Sequence, residues 1–100
     1  MNELQAFSNS EFGTVNVLMI GDKAYFPGTD CAAILGYAKP RNAIERHCKG
    51  ALKQGVPTNG GIQEKIFIPE GDLYRLIARS NLPNAVRFES WVFDEVLPSI

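Results

Sequence analysis

The chain reads as an α+β domain, a small antiparallel β-sheet of hairpins packed with about four short α-helices. Two turn clusters, Gly21-Asp22 and Pro57-Thr58-Asn59-Gly60-Gly61, each separate two strand-like apolar runs. Two further breaks, Gly36 to Pro40 and Ser80 to Pro83, each separate two stretches whose apolar residues recur at helical spacing. With 100 residues, 45% of them hydrophobic and 21% charged, there is room for one core and one domain.

The elements follow in order. Leu4 to Phe7 and Thr14 to Ile20 predict two strands joined across the turn-forming run Ser8 to Gly13. Val15, Val17 and Met19 would line one face, with Leu18 and Ile20 beside Asn16 on the other, which predicts a central strand. Ala24-Tyr25-Phe26 returns until Pro27 ends the ladder. Thr29 and Asp30 supply a cap and a negative charge for a first helix through Ala32, Ala33, Ile34 and Leu35, which Gly36 stops. Pro40 suits the first turn of a second helix, having no amide proton to leave unpaired. Ala43, Ile44 and His47 or Cys48 share its inner face, leaving Arg41, Glu45, Arg46 and Lys49 outside.

Leu52 to Val56 predicts a weak strand and Ile62 to Ile68 a stronger one. Pro69-Glu70-Gly71-Asp72 opens a third helix with acids in its first turn and Leu73, Leu76 and Ile77 as its stripe. In the fourth helix Ala85, Phe88, Trp91, Val92 and Val96 form a wide apolar stripe. Burying Phe88 and Trp91 contributes roughly 2 to 3 kcal/mol each. There is no internal repeat. Leu97-Pro98-Ser99-Ile100 directly follows the patterned helix, so a longer parent chain with a C-terminal domain is expected.

The net charge of -1 and the pI near 5.7 give no global basic signature, so any nucleic-acid contact must come from a local patch. No apolar run reaches the roughly 18 residues of a membrane span, and Met1 to Phe7 has no signal-peptide pattern, so the cytoplasm is expected. Cys31 and Cys48 are expected as thiols.

One local patch stands out within the run from Phe26 to His47 and just beyond it. Thr29 to Lys49 has the outline of a helix-turn-helix, whose second helix lies in the DNA major groove. From Lys39 to Lys53 there are five basic residues against the single acid Glu45. The candidate DNA-binding set is therefore Lys39, Arg41, Asn42, Arg46, Lys49 and Lys53, the cations for phosphates and Arg41 and Asn42 for base edges. Two short packed helices with a solvated basic face would give the same outline. Arg75, Arg79 and Arg87 form a secondary basic patch near the Ser80 to Asn84 corner, which equally suits the solvated faces of two amphipathic helices.

Other chemistry finds little support. His47, Cys48 and Cys31 do not supply the four suitably spaced ligands of a structural zinc site. Ser80 and the lone His47 lack a nucleophile-elbow motif, Glu70 and Asp72 read as helix N-terminal charges, and Asn59-Gly60-Gly61 precedes a strand rather than a phosphate-binding helix. No metal, no cofactor and no enzymatic activity are expected.

FPGTDCAAILGYAKPRNAIERH, then Ile66-Phe67-Ile68, Glu70, Leu73-Tyr74-Arg75-Leu76-Ile77, Ser80, Leu82-Pro83, Ala85, Phe88, Trp91-Val92 and Val96 to Ile100, resembles the BRO family N-terminal domain. Phage antirepressors and the repeated open reading frames of baculoviruses share that domain. The resemblance runs from about Val15 onward. It implies an α+β domain at the N-terminus of a prophage or viral regulator, usually followed by a variable C-terminal domain. It further implies DNA as a partner, relief of repression through a phage repressor, and the cytoplasm of a bacterial host. A protein-interaction module that binds the repressor, or self-associates as a homo-oligomer, is the other function consistent with the acidic pI. Two positions depart from the family pattern: Pro69-Glu70-Gly71-Asp72 replaces an Asn-Glu-x-Gly run, and Ala38 replaces a polar corner residue.

Overall fold

The computed structural model describes residues 2–100. The chain runs β1 (Asn2–Asn9), β2 (Gly13–Ile20), β3 (Lys23–Pro27), α1 (Gly28–Ile34), α2 (Pro40–His47), β4 (Leu52–Thr58), β5 (Gly61–Pro69), α3 (Glu70–Ala78) and α4 (Asn84–Trp91). A wide π-helical turn, Val92–Val96, and a short 3-10 turn, Leu97–Ser99, follow. Because β3 pairs with β5, the two hairpin systems join into one antiparallel sheet, ordered β1-β2-β3-β5-β4. The α+β class is thus observed, with about four helices as expected.

The sheet is two-faced. Val15, Val17, Phe26 and Ile68 join Leu35, Ile44, Leu73, Leu76, Phe88 and Trp91 in the main core, which places the helices on that side. On the other face Leu18, Phe67 and Val56 form a smaller cluster with Tyr25, Ile20 and Leu52 around it. β2 lies between β1 and β3, which explains why its apolar residues alternate onto both faces.

Helix α1 begins earlier than its polar residues predict. Pro27 is its N-cap, with φ -67° and no side-chain cap, and Thr29 and Asp30 fall inside the first turn. The ring of Pro27 presets a φ compatible with helix entry, so a side-chain cap is dispensable. The other end behaves as expected. Gly36 takes φ +88°, the Tyr37 amide donates to Ala32 O, and the Gly36 amide donates to Ala33 O. That pair of bonds is the Schellman closure, which needs a residue tolerant of the left-handed conformation.

The two interhelical corners are tied to each other. Ser80 Oγ donates to Leu35 O at 2.7 Å, Asn84 Nδ2 to Ile34 O at 3.3 Å, and Tyr37 OH to Leu76 O at 2.7 Å. The carbonyls left over at the end of α1 therefore find donors in the α3–α4 corner, fixing the angle at which α2 departs. The β1–β2 turn is pinned as well. Phe12 meets the Phe88 ring edge-on at 5.1 Å and stacks on Trp91 at 5.9 Å.

Candidate functional site

Helix α2 owes its placement to two close contacts. It buries Ala43 and Ile44. A Cβ on Gly28 would stand 2.8 Å from Ile44 Cδ1 and 3.1 Å from Ile68 Cγ2, so α1, α2 and β5 meet at a distance only glycine allows. Just past α2, the buried Asp72 carboxylate takes hold of the chain. It accepts from the amides of Lys49 (3.0 Å) and Gly50 (2.7 Å) and from Arg75 Nη1 (2.6 Å). Helix α2 is thereby held at its middle by Ile44 and just past its C-terminal end by Asp72.

The six predicted contact residues lie around that face. Lys39, Asn42 and Arg46 line one shallow cleft, of about 350 Å³, together with Tyr37 and His47. Lys49 and Lys53 line another, of about 340 Å³, on the Glu45 side of the helix. Arg41, with Lys39 and Asn42, borders a third cleft of about 470 Å³, whose far wall is Glu64, Lys65 and Ile66 of β5. Lys39, Arg41, Arg46, Lys49 and Lys53 are all exposed, and among the described residues none of their side chains forms an ion pair. Glu64 borders the Arg41 cleft and Glu45 the Lys49 cleft, so the five cations outnumber the acids beside them, and a surface with that excess attracts polyanions.

Two of the three arginines of the secondary set are ion-paired. Arg75 is matched by Asp72, and Arg87 grips the Glu11 carboxylate through Nε at 2.9 Å and Nη2 at 2.6 Å. The Arg87 pair holds Glu11 below the usual carboxylate range, chiefly by hydrogen bonding. Arg79 behaves differently. Its charge is felt at His47 and at Tyr37, so it joins the Arg46 side of α2 from the end of α3. His47 is held below its ordinary value by partial burial first, then by Arg79 and Arg46.

Several residues take roles that spacing alone did not disclose. Asp72 lies in the first turn of α3, as expected of a helix N-terminal charge, and at 1% exposed it is also a buried anchor. Its i,i+3 spacing to Arg75 is the one sequence signal of the pair, whereas the amides it binds lie more than twenty positions upstream. The Ser80 hydroxyl is spent on the Leu35 carbonyl. Burial pushes the Cys31 thiol up, and burial followed by Asp72 pushes Cys48 up to about 11. Among the described residues no three His, Cys, Asp or Glu side chains could hold a metal ion, and no helix is long and apolar enough to cross a membrane.

Residues 14–98 match the family model described as BRO family, N-terminal domain. An uncharacterized protein of Haemophilus influenzae is 46% identical over 104 aligned positions, covering 99% of this chain and 51% of that protein. Two proteins named as Bro-N domain-containing are also similar. That of Invertebrate iridescent virus 6 is 33% identical over 76% of this chain, and that of Invertebrate iridescent virus 3 is 31% identical over 79%. The chain spans 23% and 25% of those two proteins. No solved structure matches.

Proposed function

Because the chain belongs to the BRO family, whose N-terminal domain it carries over residues 14–98, we propose that it is the duplex-DNA-binding module of an antirepressor-type transcriptional regulator. In this proposal it works without catalysis, in the cytoplasm of a bacterial host. The observation that carries the proposal is the surface on and around α2, where Arg41 and Arg46 of the helix and Lys39, Lys49 and Lys53 beside it are exposed and have no ion-pair partner among the described residues. Lys39, Arg46, Lys49, Lys53 and Arg79 neutralise phosphates, while Arg41 and Asn42 face base edges. Asp72 and Gly28 act indirectly, by holding α2 and Lys49 in position.

The test is fluorescence anisotropy on a labelled duplex at about 50 mM salt, where phosphate contacts are least screened. An Arg41→Ala, Arg46→Ala, Lys49→Ala variant keeps the core intact and should lose most of its affinity. Undiminished binding by that variant, or none by the parent chain, would remove the proposal.

A second reading has its own observation. Leu82, in the corner before α4, and Val86, in its first turn, are 43% and 67% exposed, which suits a protein partner such as a phage repressor or a second copy. Repressor capture, or dimerisation, that is lost in Val86→Asp and kept in the triple α2 variant would favour it.

A further inference from the structure

The β4–β5 hairpin has features that α2 alone does not use. Its base is anchored: Val56, Phe67 and Leu52 sit in the cluster on the outer sheet face. Beyond Val56 the ribbon carries Pro57, Thr58, Asn59, Gly60, Gly61, Ile62 and Gln63, an uncharged tip in a chain that is 21% charged. Ile62 is 74% exposed, the most exposed large apolar side chain among the described residues. It pairs across the ribbon with the exposed Pro57. Its side chain lies over Gly55, where a Cβ would come within 3.0 Å of Ile62 Cγ2. The turn is preorganised, since Thr58 Oγ1 donates to Gly61 O at 2.7 Å and accepts from the Gly60 amide.

The ribbon also stands beside the basic face. Its β5 strand forms the wall opposite Lys39, Arg41 and Asn42 across the largest of the three α2 clefts. From the Lys53–Ile66 pair at its base to the Thr58–Gly61 pair at its end is five residue steps, or about 17 Å at strand rise. Half a turn of B-DNA, the distance from a major groove to the neighbouring minor groove, is also about 17 Å.

We infer that the β4–β5 hairpin is a second DNA arm, which reaches the minor groove next to the major groove occupied by α2 and sets Ile62 and Pro57 against its floor. This rests on the DNA-binding proposal above. Phosphate attraction needs cations, and the tip has none, so the tip suits the groove floor instead of the backbone. Apolar wedges of Ile and Pro beside an amide side chain, here Asn59 at the turn, are the chemistry that minor-groove binders use. Amide donors there meet the adenine N3 and thymine O2 acceptors, which favours A·T-rich sequence under the arm.

The experiment compares the parent chain, Ile62→Ser and Arg46→Ala on a roughly 30-base-pair duplex labelled at both ends. Anisotropy gives affinity and its salt slope, energy transfer gives bending, and circular dichroism verifies folding. Ile62→Ser should bind about tenfold more weakly, as for loss of one buried apolar side chain, with unchanged salt slope and a longer end-to-end distance. Arg46→Ala should instead flatten the slope by about 1. If Ile62→Ser binds and bends the duplex like the parent while Arg46→Ala is weakened, the arm is refuted and α2 binding stands. If the parent binds no duplex at low salt, both proposals fall.

Discussion

Replacing Asp72 with alanine should damage this domain more than any change to its surface charges. The carboxylate is buried and accepts from the Lys49 amide, the Gly50 amide and Arg75 Nη1. Leaving a buried donor without a partner costs about 1 to 3 kcal/mol. Lys49 and Gly50 are themselves exposed, so water reaches part of the vacated space and the low end applies to each amide. Arg75, 43% exposed, adds no more than about 1 kcal/mol. The expected total is about 3 kcal/mol, a large fraction of the 5 to 15 kcal/mol typical of a domain. At this chain length it lowers Tm by about 12 to 24 °C. Thermal and urea melts of Asp72→Ala and Arg75→Ala measure it, and Asp72→Asn, which keeps one acceptor, should fall between. An Asp72→Ala variant within about 0.5 kcal/mol of the parent would refute the anchoring role. So would an Arg75→Ala variant that is equally destabilised, because the exposed pair and not the amide bonds would then carry the energy.

Two other outcomes follow from the same geometry. Gly36→Ala forces a side chain into φ +88° and against Leu82; it should cost about 1 to 2 kcal/mol for the left-handed backbone, read in the same melts, with Ala38→Gly as a neutral control at the neighbouring corner. His47 is the chain's one histidine, so its ring proton reports alone in an NMR pH titration. Its folded pKa lies below 6.5, so the unfolded chain binds the proton more readily, and stability declines as pH falls from 6.5 through the folded value. Phosphate beside Arg46 and Arg79 should raise that pKa, so duplex binding takes up a proton and tightens as pH falls. A free-state midpoint at or above 6.5 would contradict the cationic surroundings.

Much of this architecture is legible in local pattern, because local chemistry decides it. The apolar residues on both faces of β2 follow from its place inside the sheet, and Gly36 and Pro40 mark the α1–α2 corner by the backbone angles they alone favour. The stripe expected of the fourth helix predicts the buried face residue by residue, through Ala85, Phe88 and Trp91 of α4 and on to Val92 and Val96 of the π-helical turn. What escaped depends on distant contacts. Thr29 and Asp30 look like caps, yet Pro27 already sets the entry to α1. Phe12 sits in a turn-forming run and still completes the aromatic cluster with Phe88 and Trp91, which no window around it discloses. The basic face was visible as a charge run from Lys39 to Lys53. That Arg79 joins it, while Arg75 and Arg87 are neutralised elsewhere, depends on how α3 and α4 pack.

In the proposed function, the outward face of α2 contacts duplex DNA. Chemical-shift mapping of the labelled domain during titration with a short duplex at low salt tests it most directly. Amides from Lys39 to Lys53 and at Arg79 should move together and saturate at one affinity. Shifts confined to Leu82, Val86 and their neighbours on α4, or no shifts at all, would contradict it.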